Sequence, residues 1–407
     1  MALKAKIKNI VPKRILKVGR KVYSNLYCKL KGLQTINTKY EISCIGHEGI
    51  HSFFGYYDIS PFDSHNNIIY LEVDYKKEDA KIMLYSMESQ EYKIVTSTKA
   101  WNTQQGSRLR WLPNTEEWIS FNDYKEGKYI NRHINIKTLE EKVIPYPLYD
   151  ISQNGKFGIT LNFARLGVLR PGYGYTNYHY IPSEDLTKED IKIVNLSTRE
   201  VISTISYDRI SKTMGEKVLD FSDYYINHLS FSPSGNKFLF FWLKDIPNSL
   251  PKASLLVYDI EKDELYVLEN ELRVSHYTWV DNETILCTAV SETEDKTFKC
   301  QYYMYKKDTE KVIVGKGCLQ TDGHPSLYNE QTILSDTYPD RYSYQELFLY
   351  NIETNEKRQL VYSKSVPVRD SIYRTDLHPR FNLTKDVICY DANVDGFRKI
   401  FILKNWN

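Results

Sequence analysis

No two of the six cysteines, Cys28, Cys44, Cys287, Cys300, Cys318 and Cys389, stand in a C-x-x-C spacing, and they follow no regular framework. A structural zinc site and a disulfide scaffold are therefore without support. Several of the thiols sit in apolar strand-like runs such as TILCTAV and VICYDA, where Cys behaves as a small hydrophobe, and the expectation is a reduced, cytoplasmic protein. Net charge is nearly absent too. Lys+Arg 54 against Asp+Glu 52 leaves +2, which excludes a general nucleic-acid footprint. No run approaches the ~18 apolar residues of a spanning helix, and no uninterrupted apolar core suits a signal peptide. P-loop, G-x-G-x-x-G and G-x-S-x-G patterns are missing, so nucleotide hydrolysis, dinucleotide binding and the usual serine-hydrolase route have no motif behind them.

What is present is a globular composition. The 407 residues are 42% hydrophobic and 26% charged, enough to bury a large core. Tyr is abundant at 34, which suits sheet faces and also sugar stacking. Basic charge gathers at one end: residues 1–32 are rich in Lys and Arg, contain no acidic residue, and carry apolar side chains from Ile10 and Val11 to Tyr23 and Leu26. That pattern predicts a basic amphipathic leader over 1–36, preceding one domain over 37–407. Its first 32 residues are expected to contact an anionic inner membrane peripherally.

The strongest signal is a period. His228, His276, His324 and His378 recur at spacings of 48, 48 and 54, each opening a strand-like run: NHLSFSP, SHYTWVD, GHPSLYN and LHPRFNL. Such a period marks a propeller, in which each repeat is one four-stranded blade. Seven units are legible, beginning near Phe54, Arg108, Tyr149, Asn227, Ser275, Gly323 and Leu377. Runs such as KIMLYSM, ASLLVYDI, QYYMYKK, ELFLYNI and KIFILKN read as third strands. The last blade stops after its third strand, and the segment 39–45 (KYEISCI) is placed to supply the fourth and close the ring. The fold expected is an all-β, seven-bladed β-propeller closed by an N-terminal strand.

A side chain repeated at the start of each inner strand points into one central channel, so the four histidines are expected to share a polar space. Gly55-Tyr56-Tyr57-Asp58, the run from Gln104 to Arg110, Gln320, Asp322 and Asp376 fall at equivalent blade positions. Imidazoles with a carboxylate or amide suit a divalent transition metal, and His with Asp suits proton transfer. Blade three carries the largest insertion, from Asn162 to about Lys192. It holds Arg165, Arg170 and a Gly172-Tyr173-Gly174 turn able to grip a carboxylate or phosphate.

The runs DGHPSLYNEQTILSDTYPDR, ELFLYNIETNEKRQL, DLHPRFNLTKDVICYDA and GFRKIFIL resemble the terminal blades of the oligogalacturonate-lyase-like, TolB-type propellers. The resemblance is best over 225–403 and looser over 47–180. It implies a manganese ion held by histidines and a glutamine, with a histidine and an arginine acting on a uronate ring. By position, His228 resembles the catalytic base, His276 a metal ligand, and His324 with Gln320 further ligands. Arg165 and Arg170 are the candidates for the arginine. The chain departs from the pattern at His324-Pro325-Ser326, where the family has a His-x-His pair; His378 of the next blade is the candidate replacement.

These features predict a lyase-like protein acting by β-elimination on an acidic oligosaccharide or polysaccharide, with Mn²⁺ or another divalent metal. Two alternatives stand beside it: a membrane-associated protein of bacterial surface-polysaccharide assembly, which the leader favours, and a propeller that binds glycans without chemistry.

Overall fold

The structure, a computed structural model, describes residues 34–184, 190–247, 249–292, 298–365 and 371–406. Residues 1–32, on which the membrane expectation rests, lie outside them. Among the described residues no helix is long and apolar enough to cross a membrane.

Seven antiparallel sheets stand in chain order around one axis. Their innermost strands are His51–Phe53, Arg110–Trp111, Asp150–Ile151, Tyr224–Phe231, Arg273–Trp279, Ser326–Asn329 and Arg380–Phe381. All five runs read as third strands occupy that place; Lys252–Asp259 and Tyr344–Asn351 are examples. Second strands such as Lys237–Lys244 (KFLFFWLK) are buried on both faces, because each blade packs between two others. That explains why they read as continuous apolar runs rather than alternating ones.

Ring closure follows the expected route. Glu41–Ile45 pairs antiparallel with Phe397–Lys404 and completes blade seven, Cys44 lying opposite Phe401. A second short strand just before it, Ile36–Asn37, adds a fifth strand to blade six through Ile36 and Ser363. The N-terminal chain thus covers the outer edges of two blades drawn from the other terminus.

One local departure matters for the channel. Blade one starts earlier than the alternation suggests, at His51, so the Gly55-Tyr56-Tyr57 run is not an inner strand but an irregular crossing segment. Gly55, at φ +146, lies where an added Cβ would stand 2.9 Å from the Gln105 carbonyl oxygen; only glycine lets the chain pass so closely. Arg108 then fixes the segment, donating from Nη2 to Asp58 at 2.8 Å and from Nε to the Tyr149 carbonyl at 2.8 Å.

Candidate active site on the propeller axis

His228 and His276 sit within inner strands, at places where the ladder register slips: between Asn227 and Ser230 in blade four, and between Val274 and Tyr277 in blade five. A bulge re-aims a side chain, here toward the axis. His324 and His378 instead precede their inner strands, in irregular backbone. His228 and His378 adopt φ of +57 and +44, a region rare for residues with a Cβ and costly unless surrounding contacts impose it.

The four rings converge. Centroids lie 6.1 Å apart for His228 and His276, 4.2 Å for His276 and His324, and 4.4 Å for His324 and His378. Tyr56 stands at the centre, stacked on His228 at 5.3 Å and edge-on to His378 at 4.8 Å. Below it Tyr57 spans the channel to blade five, its hydroxyl donating to the Tyr277 carbonyl at 2.7 Å and accepting from the Tyr277 N–H at 2.8 Å.

Each ring is oriented by a partner on Nδ1 or by stacking. His276 Nδ1 meets Asp322 at 2.9 Å, and that carboxylate also accepts from Ser275 at 2.6 Å and Thr288 at 2.8 Å. His324 Nδ1 lies 2.8 Å from Asp336, which is fully buried. His378 Nδ1 donates to the Gly55 carbonyl at 3.1 Å. These bonds place the Nδ1 proton outward and leave the Nε2 lone pairs of His324 and His378 facing the axis, buried and without a partner. His228 Nδ1 is likewise buried and unpartnered.

Charge follows burial. Desolvation holds His228 and His378 well below the ordinary imidazole range, aided for His228 by His276 and Arg170 nearby. Burial also lowers His276, partly offset by Asp322. His324 is the exception: burial opposes its protonation, yet the Asp336 carboxylate, together with Asp376 and Asp322 nearby, outweighs that and raises it. A neutral His228 is a base in its active form.

The ligand atoms of His324, Asp376 and His378 all lie within 4.8 Å of one another. An N₂O set with two orphaned ring nitrogens fits a divalent cation of intermediate softness. His276 lies beside this set, its ring tilted against that of His324. Gln320 lines the same cavity as His228 and His276 and is exposed, whereas Asp376, buried, is the oxygen donor grouped with the two histidines. Ser326, at the position of the expected second His, lines a smaller cavity at the opposite end of the channel.

Above the rings opens a cavity of about 740 Å³, lined among others by His228, His276, Asp322, Tyr173, Tyr338 and Arg374. The blade-three insertion roofs it. A short helix, Phe163–Leu169, is capped by the Asn162 side chain and delivers Arg170 and Tyr173 to the wall. The Arg170 guanidinium lies over the Tyr173 ring, 5.2 Å from its centroid, with no hydrogen-bond or ion-pair partner among the described residues. Arg165 points elsewhere. Fully buried, it donates to the carbonyls of Tyr224 (2.6 Å), Pro182 (3.2 Å) and Phe221, and so ties the insertion to the start of blade four. It does not line the cavity, which separates it from the reactive group expected at that position.

Asp336, Tyr338 and Arg374 join the site from outside the repeated blade position, beside Tyr56 of the Gly55–Asp58 run. Arg374 donates to Asp376 at 2.8 Å, and to the hydroxyls of Tyr173 at 3.1 Å and Tyr338 at 3.4 Å.

No protein-family model matches the sequence, and no curated protein sequence matches it. Solved structures do resemble it in three dimensions. An oligogalacturonate lyase in complex with manganese is 13% identical, with a TM-score of 0.65 over 90% of this chain and 94% of that one. The oligogalacturonate lyase of Vibrio parahaemolyticus is 14% identical, with a TM-score of 0.61 over 91% and 97%. An acylaminoacyl peptidase in complex with Z-Gly-Gly-Phe-chloromethyl ketone reaches 0.53 at 12% identity, over 87% of this chain and 51% of that one. By class the protein is a seven-bladed β-propeller. Within that class its fold is that of the oligogalacturonate lyases, matched over nearly the full length of both chains.

Proposed function

We propose that this protein is a carbohydrate-active lyase that cleaves a uronate-containing oligosaccharide or polysaccharide by β-elimination. One observation carries the reading: His228, neutral and with its Nδ1 unpartnered, lines the cavity with His276 and Arg170, and His276 connects it ring to ring to the His324–Asp376–His378 ligand set. The shared fold with a lyase whose structure contains manganese supports it.

Removing the C5 proton of a uronate is difficult because the resulting electron pair must be delocalised into the adjacent carboxylate. His324, His378 and Asp376 would hold Mn²⁺ or another divalent ion, with His276 beside them. Such an ion supplies positive charge to neutralise the uronate carboxylate. Arg170 reaches the same class of group, since a guanidinium with no hydrogen-bond or ion-pair partner among the described residues is available for a bidentate carboxylate contact. His228 takes the C5 proton: burial keeps its ring neutral, and Tyr56 stacked behind it fixes its plane. The roof formed by the insertion limits water around the reacting atoms.

The test is direct. Oligogalacturonates and other oligouronates are incubated with the protein and manganese, and the conjugated product of elimination is followed by ultraviolet absorbance. His228→Ala should lower turnover by about 10²–10⁴-fold. Hydrolysis without a conjugated product, or full activity in the variant, would refute the assignment.

A second reading concerns location. The leader, basic and without acidic residues over 1–32, favours peripheral docking on an anionic inner leaflet, which would bring the propeller near membrane-linked glycans of surface-polysaccharide assembly.

A further inference from the structure

β-Elimination needs a second proton transfer that no histidine above accounts for: the departing O4 must be protonated. We infer that Tyr173 is the group that donates this proton, with Arg374 as its positioning residue. The inference rests on the lyase reading of the same cavity.

Three features single out Tyr173. Its ring lines the cavity that His228 also lines, edge-on to His228 with centroids 6.2 Å apart, so one sugar residue lying across the two neighbouring rings from the cavity side meets both. Its hydroxyl accepts a hydrogen bond from Arg374 Nη2 at 3.1 Å. With a lone pair so engaged, the phenolic O–H is free to point away from Arg374, and the guanidinium stands ready to stabilise the phenolate once the proton has gone. Arg170, over the ring face, adds a second positive charge.

The backbone makes this placement rigid rather than incidental. Gly172 takes φ +95 and its carbonyl accepts from the Gln104 N–H at 3.1 Å. The Tyr173 carbonyl accepts from the Asn102 side chain at 2.9 Å. Gly174 passes so close to the preceding helix that a Cβ there would collide with the Gly167 nitrogen and the Phe163 carbonyl. A loop that only capped the channel would not need its tyrosine hydroxyl aligned by a half-buried arginine from the approach to blade seven.

The step balances without an added reagent. The C5–H bond breaks and its proton goes to His228; the freed pair forms the C4–C5 double bond; the C4–O4 bond breaks; O4 takes the proton of Tyr173. The imidazolium then returns one proton to the phenolate, directly or through cavity water, and both groups are reset.

The experiment compares the full-length wild type with Tyr173→Phe on two substrates: an oligouronate, whose leaving group is a sugar hydroxyl, and a uronate carrying dinitrophenolate at O4, which leaves without protonation. Loss of about 100-fold or more is expected on the first and less than about 10-fold on the second. Deuterium wash-in at C5 should persist in the variant. Unchanged turnover of the oligouronate, or equal loss on both substrates, would overturn the role. Incorporation of 3-fluorotyrosine at 173, a more acidic phenol of nearly the same shape, should move the alkaline limb of kcat/KM to lower pH; an unmoved limb would also overturn it. A wild type that neither eliminates nor exchanges on any uronate overturns the lyase reading itself, a distinct result.

Discussion

Asp336 holds His324 from two directions: one carboxylate oxygen lies 2.8 Å from the ring Nδ1 and 2.8 Å from the backbone nitrogen of the same residue. Its other oxygen accepts from the backbone nitrogen of His378 at 3.0 Å. A single buried carboxylate therefore sets the tautomer of one candidate ligand and pins the other in its left-handed backbone. Replacement by Asn, Asp336→Asn, keeps the volume and removes the charge. Manganese affinity should fall about 10–100-fold, read by calorimetric titration. An unchanged dissociation constant would show that these histidines do not bind the ion.

Arg165 and Arg170 are five residues apart and should behave in opposite ways. Arg165→Ala removes the donor to the Tyr224 carbonyl, in a buried bond, and to the half-buried carbonyls of Pro182 and Phe221, and should cost about 2 kcal/mol or more of stability in denaturant unfolding. Arg170→Ala removes a guanidinium that lies over the Tyr173 ring but makes no hydrogen bond or ion pair among the described residues. Stability should change by less than about 0.5 kcal/mol, while KM for an oligouronate rises about tenfold or more and that for a neutral oligosaccharide ligand does not. Reversed behaviour of the pair would contradict the assignment of Arg170 to carboxylate binding.

Acid should weaken the fold through His133, in the third strand of blade two. Burial pushes its pKa from 6.5 down to about 4, and its Nε2 is buried without a partner. Between those values the unfolded chain binds more protons than the folded one. The stability contributed by the neutral ring is complete above pH 6.5 and declines as pH falls toward 4, by up to about 3 kcal/mol. Chemical unfolding of the wild type and His133→Leu at pH 7 and 4.5 checks this: the variant should lose less stability on acidification.

Removal of residues 1–32 should leave thermal unfolding of the propeller unchanged and reduce co-sedimentation with vesicles containing anionic lipid, most at low salt. Equal sedimentation of the shortened protein would leave the leader without a membrane role.

The histidine ring was legible because a propeller converts a sequence period into a spatial one: residues 48 or 54 apart fall on the same axis. Ring closure was legible for a similar reason, since blade seven visibly lacks a fourth strand. Less accessible was the crossing segment that brings Tyr56 to the centre, because a three-residue inner strand, His51–Phe53, gives too short an alternation to set the phase. Asp336 ends the second strand of blade six, and Arg374 lies in the approach to blade seven; neither belongs to the repeated position, so the period does not reveal them. Arg165 shared the right neighbourhood and polarity, but its side chain turns to the carbonyls of Tyr224, Pro182 and Phe221 and is used up in tying the insertion to blade four.

The central claim is that the axial histidines form one metal-binding centre. Metal analysis of the protein purified without chelator and without a histidine tag, alongside His324→Ala and His378→Ala, tests it most directly. About one equivalent of manganese or another divalent transition metal in the wild type, lost in both variants, is the predicted result. No metal in the wild type after manganese loading, or full retention by both variants, would contradict it.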